Sequence, residues 1–128
     1  MKKIECVIMD WAGTAVDYGC FAPVAAFVES FKAIGAPVTA AETRAHMGLT
    51  KIEEVRVLFA IDHVGADFRA KYGREWNEDD VQECYKKFQN ELFRTLEDYS
   101  KPITGVVDTI SELRSQGLKV GSTTGYTR

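Results

Sequence analysis

IMDWAGTAVDYG, residues 8–19, is the stretch whose reading decides the fold. Its first residues end an apolar run, residues 4–9, with Cys6, Val7 and Ile8 at the centre. A short run of this kind suits a strand buried on both faces, as in a parallel sheet. Asp10 then stands at the strand's carboxyl end, where open α/β sheets place their ligand sites. Gly13 and Thr14 follow, and Ala12 holds the position two residues beyond the aspartate. These residues leave two readings of Asp10 open: an aspartate that shapes a turn, and a nucleophilic carboxylate.

Beyond Gly19 the period changes. Val24, Phe27, Val28, Phe31 and Ile34 recur at three- and four-residue steps, the pattern of a helix with one apolar face. Pro23 suits its first turn and Gly35 its exit. Thr39 with Glu42, and Thr50 with Glu53, each read as a capping box. The first opens a short helix that Gly48 can close. The second opens a helix carrying Ile52, Val55, Leu58 and Phe59. A further helix is predicted through residues 67–72. A long one starts near Asn77, with Val81, Cys84, Tyr85, Phe88, Leu92 and Leu96 on one stripe. KPITG, residues 101–105, is a turn. Residues 106–115 follow as a helix with Val107, Ile110 and Leu113 inward, ended by Gly117. LKVGSTTG, residues 118–125, reads as a strand entering a polar loop. The order is strand, helices, turn, helix, strand. The two ends, residues 1–18 and 101–128, therefore form one partial α/β layer. Residues 19–100 form a helical insertion, with Phe27 and Phe31 in its core.

The 128 residues suffice for one modest domain. A net charge of −3 argues against a general nucleic-acid binder, which needs a basic face. No apolar stretch reaches membrane-spanning length. The opening MKKIECVIMD is basic, but Glu5 and Asp10 interrupt any signal-peptide core. The cysteines, Cys6, Cys20 and Cys84, are odd in number and form no CxxC pair, so neither a zinc site nor a disulfide framework is indicated. A reducing cytoplasm fits this usage. Cys6 and Cys84 fall in apolar stripes and read as core residues.

Three separated segments carry a resemblance. DWAGTAVDYGCFAP (residues 10–23), HMGLTKIEEVR (residues 46–56) and GSTTGYTR (residues 121–128) resemble, in this order, the phosphonoacetaldehyde hydrolase family of the haloacid dehalogenase superfamily. The resemblance covers the whole chain and about the first half of the family's length. It implies a haloacid dehalogenase-like Rossmannoid core, here partial, with an inserted α-helical cap. It also implies cleavage of a carbon–phosphorus bond to give acetaldehyde and phosphate, and a homodimer formed through the cap.

Site residues follow from that resemblance. Asp10 would attack phosphorus and form an aspartyl phosphate. Magnesium would be held by Asp10 and the backbone carbonyl of Ala12, screening the phosphonate charge. Gly13 and Thr14 would shape the loop around the phosphoryl oxygens. Most phosphatases of the superfamily place a second aspartate where Ala12 stands, to protonate a leaving oxygen. A carbon leaving group needs no such proton. It needs an electron sink, which an imine on Lys51 would supply. With Thr50 as N-cap, the helix's positive end disfavours an ammonium at Lys51 by roughly 0.3–1 kcal/mol. Burial under a closed cap must supply the rest. Met47 would lie near that lysine. Thr124 and Gly125 would bind phosphate, with Ser122 and Thr123 as competing hydroxyls. Cys20 and Tyr126 would edge the site, and Arg128 has no assigned role.

From the residues alone, a solvated Lys51, a packing Met47, a helix-end His46 and a polar turn at residues 122–125 are the simpler readings. Two other functions stand beside the hydrolase. One is a capped phosphatase or phosphomutase acting on phosphate esters, against which Ala12 argues. The other is a catalytically inactive truncated chain, without the family's basic third and acidic fourth motifs.

Overall fold

The computed structural model describes residues 3–125. In chain order its elements are β1 (Cys6–Asp10), α1 (Phe21–Ile34), α2 (Ala40–Ala45), α3 (Lys51–Phe59), α4 (Asp62–Tyr72), α5 (Glu78–Thr95), α6 (Val106–Ser115) and β2 (Lys119–Thr123). A 3-10 turn, Leu96–Tyr99, follows α5. The protein is thus α/β, with β1 and β2 in one parallel sheet. Their register runs from Cys6 opposite Lys119 to Asp10 opposite Thr123. The chain divides into two compact units. One comprises residues up to Phe21 together with Glu97–Thr124, the other Ala22–Leu96.

In the sheet unit, α6 packs on β2 and covers one face. Val7 and Met9 on β1 are half-buried, whereas Cys6 and Ile8 are exposed, Ile8 by 60%. The expectation of a strand buried on both faces is therefore corrected, and so is a core place for Cys6. Among the described residues only two strands form the sheet, and no helix covers its second face. Val107 is likewise 58% exposed rather than inward. The half-buried side of α6 is Val106, Ile110 and Leu113, spaced at helical steps of four and three. Ile110 shares a cavity of about 180 Å³ with Met9 and Val120.

The helical unit holds most of the buried apolar surface. Phe27 and Phe31 are fully buried, as the spacing predicts. Phe27 stacks on Phe88 with ring centroids 4.1 Å apart, tying α1 to α5. Phe31 meets Phe59 at 5.0 Å, and Phe59 meets Phe68 edge-on at 5.7 Å. Each such ring contributes about 1.5–3 kcal/mol by leaving water, so these contacts hold α1, α3, α4 and α5 together. Cys84 is buried, as expected, and burial pushes its thiol up to about 12.

The capping boxes fix three helix starts. Thr39 caps α2, with Glu42 reaching back to the Thr39 amide at 2.8 Å. Glu53 returns to the Thr50 amide at 3.2 Å and opens α3. Asn77 accepts from Asp79 and Asp80 and opens α5. Two boundaries differ from the sequence reading. α2 stops at Ala45, because the His46 amide turns back to Thr43 in a tight cap, and Gly48 (φ +109) lies in the turn beyond. α4 starts at Asp62, not near Asp67. Its N-cap, Ile61, offers no side-chain hydrogen bond, so the start carries none of the usual capping signal.

Candidate active site

The sheet unit presents a carboxylate on a tightly wound loop. Asp10 ends β1, is exposed, and accepts the Trp11 amide on Oδ1 at 2.8 Å. The Trp11 carbonyl then gathers the amides of Thr14, Ala15 and Val16 at 3.3, 2.8 and 3.1 Å. The Gly13 amide closes the loop on the Val16 carbonyl at 2.7 Å. Gly13 adopts φ +81, and a Cβ there would sit 2.7 Å from Cys20 Sγ. Both facts demand glycine. Beneath the loop, Ala15, Val16 and Asp17 are buried, and the Ile103 amide donates to the Ala15 carbonyl at 2.9 Å. The loop that follows Asp10 is therefore anchored rather than free.

Thr123 ends β2 directly opposite Asp10 in the register, and Thr124 and Gly125 follow it in the chain. Of the three competing hydroxyls, that of Thr123 belongs to the residue paired with Asp10, while Ser122 pairs with Met9. Cys20 is half-buried at φ 50 beside Gly13. Tyr126 and Arg128 lie outside the described residues.

The helical unit presents a lysine. Lys51 is the first residue of α3 and only 8% exposed. The capping box sets the start of α3, and the helical repeat puts Lys51, Glu54, Val55 and Leu58 on its buried face. Nζ lies 2.9 Å from Glu54 Oε2, 3.9 Å from Met47 Sδ, and 5.7 Å from the centre of the Phe27 ring. Met47 thus adjoins the lysine, and His46 is a half-buried helix end. Lys51 is not the solvated lysine of the simpler reading.

Glu54 was not singled out from sequence. It is fully buried, and burial raises its carboxyl above the usual carboxylate range, against the opposing hydrogen bond from Lys51. The missed signal was spacing: an acid three residues after Lys51, on the same face as Val55 and Leu58. Asp17 was also missed. It is buried at φ 51 and caps α1 by accepting the Phe21 amide at 2.8 Å.

Among the described residues no group of three or more His, Cys, Asp or Glu converges as a metal site. Asp10 and Ala12 offer a carboxylate and a carbonyl two residues apart. These are hard oxygen donors, which fit magnesium in kind.

A parallel sheet ending in a carboxylate, with a helical unit carrying a buried lysine, defines an α/β protein with two separate candidate nucleophiles. Searches among known proteins give the particular relatives. No family model matches the chain. A phosphonoacetaldehyde hydrolase of Bacteroides fragilis is 54% identical over all 128 residues, which make up 49% of that protein. One from Parabacteroides distasonis is 52% identical over 99% of the chain and 48% of the relative. A bifunctional phosphonoacetaldehyde hydrolase/aminoethylphosphonate transaminase of Clostridioides difficile is 51% identical over 99% of the chain and 20% of the relative. Among solved structures, a phosphonoacetaldehyde hydrolase-like protein from Oleispira antarctica matches with a TM-score of 0.93 at 37% identity, over 98% of this chain and 46% of that one. The chain is therefore homologous throughout its length to the phosphonoacetaldehyde hydrolases, and it spans about half the length of the curated relatives it matches.

Proposed function

We propose that this chain supplies the carboxylate and the lysine of a phosphonoacetaldehyde hydrolase, cleaving the carbon–phosphorus bond to acetaldehyde and phosphate. In this reading the sheet unit is part of a haloacid dehalogenase-like core, and the helical unit is its cap. Lys51 condenses with the substrate aldehyde, and its protonated imine accepts the electron pair as the carbon–phosphorus bond breaks. Asp10 takes the phosphoryl group as an aspartyl phosphate, which water then hydrolyses. Thr14, Thr124 and Gly125 surround the phosphoryl oxygens with hydroxyls and amides. Met47 and Phe27 give the lysine a soft, apolar setting that suits a small aldehyde. Ala12 leaves no acid for an ester oxygen, which favours the carbon leaving group over the phosphatase and phosphomutase readings.

Magnesium would be held by the Asp10 carboxylate and the Ala12 carbonyl, with its remaining ligands outside these residues. When bound, it offsets the charge of the phosphonate. Gly19 and residues 100–105 are the candidate hinges between core and cap. A homodimer through the cap and a cytoplasmic setting complete the reading, supported by the resemblance and by an odd number of cysteines with no CxxC pair.

The observation that carries the proposal is Lys51, a buried amine at a helix start beside a thioether and an aromatic ring. Treatment with phosphonoacetaldehyde and borohydride is expected to leave a covalent adduct on Lys51, seen by intact mass and peptide mapping. The Lys51→Arg chain is expected to give none. Adducts confined to other lysines would reject the imine route.

A further inference from the structure

The proposed chemistry leaves Glu54 without a task. Its side chain is fully buried on α3, one turn from Lys51. Oε2 accepts from Lys51 Nζ at 2.9 Å. Among the described residues Oε1, also buried, has no hydrogen-bond partner. A carboxylate oxygen shut away from water without a partner is costly, and such groups call for an explanation in function. Replacing the pair with apolar residues would often be no less stable. Packing therefore gives no reason for an acid here.

We propose that Glu54 is the proton carrier for imine formation at Lys51, a proposal that rests on the imine reading given above. Glu54 takes one proton from the Lys51 ammonium, leaving a neutral amine and a neutral acid. The nitrogen lone pair forms the new bond to the aldehyde carbon, and the carbonyl π pair moves to oxygen. That oxygen takes up the proton which the nitrogen sheds. The acid form of Glu54 then protonates the resulting hydroxyl. The carbon–oxygen bond breaks with its electron pair, water leaves, and the nitrogen lone pair closes the iminium. Glu54 is again a carboxylate, now paired with the iminium, and nothing is oxidised or reduced. Oε2 serves the nitrogen, and Oε1 remains available to the departing oxygen.

The charged groups acting on Glu54 are Lys51 and, more weakly, His46. The buried faces of α1, α2 and α4 bring no ionisable side chain. That of α5 brings only the Cys84 thiol, which burial keeps neutral. The pair is active when it holds one proton. Two protons leave no free amine, and none leaves no acid for dehydration. The rate of imine formation should therefore be bell-shaped in pH.

Acetaldehyde with cyanoborohydride, applied to the full chain between about pH 5 and 9, converts the imine to a stable ethyl group. Peptide mapping reads the rate at Lys51, normalised to the exposed Lys86. The expected result is a bell-shaped profile at Lys51. Glu54→Gln should be on the order of 100-fold slower at its maximum and keep only a rising limb. Glu54→Asp should retain the bell at an intermediate rate. A Gln variant as fast as the parent, with the bell unchanged, overturns the role of Glu54 and leaves the imine reading standing. Absence of modification at Lys51 in the parent overturns both. Should circular dichroism show the Gln variant unfolded, the Asp variant decides, and loss of its bell rejects the proposal.

Discussion

At the scale of single residues, the chain departs from ordinary choices where chemistry is proposed. Gly13 is one such place, fixed by a left-handed backbone and by Cys20 Sγ. Gly13→Ala should cost about 1–3 kcal/mol in thermal or urea denaturation. Adding Cys20→Gly should recover part of that loss, because it removes the sulfur and relieves the φ 50 backbone at the same position. Equal destabilisation of the single and double variants would show that the sulfur contact carries nothing. The placements of Asp10, Gly13 and Lys51 were legible because each sits at a signalled boundary: a strand end, a turn, a helix start. Glu54 was not, since an acid in an amphipathic helix ordinarily faces water. Only the packing of α3 shows that this one faces the core.

At the scale of elements, capping chemistry explains what could be read and what could not. α2 and α3 begin at capping boxes and were located by them, whereas α5, capped by Asn77, was located by its apolar stripe. α4 begins at Asp62 behind an isoleucine N-cap, five residues before the start that the sequence pattern indicates. β1 was found by its apolar run, but its burial was misjudged. Periodicity reports hydrophobicity, and burial depends on how many neighbours arrive. The α2 cap also sets a pH dependence. The Thr39 amide, then His63, hold the Glu42 carboxyl down to about 2. A carboxyl lowered on folding contributes stability above its unfolded value near 4.5, and that contribution is lost as pH falls toward about 2. Glu42→Gln, which removes the titrating carboxyl, should therefore lower stability near neutral pH and flatten the acid limb of a stability profile. An acid limb identical to the parent's would remove the Glu42 cap from the account.

At the scale of the whole molecule, the two units differ in what holds them. The helical unit buries five phenylalanines of α1, α3, α4 and α5. The sheet unit buries little beyond Ala15, Val16 and Asp17. Amide hydrogen exchange should accordingly be slowest in α1, α3 and α5 and faster in β1, β2 and α6. Uniform protection would mean that the units unfold as one. Element order suggests a split α/β portion and a helical insertion over residues 19–100, and the compact units divide at Phe21 and Glu97. Met47 beside Lys51 was readable through the resemblance, whereas Phe27 beside Lys51 was not, because those two meet only through packing.

The pairing of β1 with β2 alone has a last consequence. Among the described residues each strand keeps one flank of amides and carbonyls unpaired, with Ile8 bare on β1 and Ile4 bare just before it. Such a ribbon is a template onto which any extended peptide can zip. In a concentrated solution the chain's fate thus becomes a contest between adding the right strand and polymerising onto a wrong one.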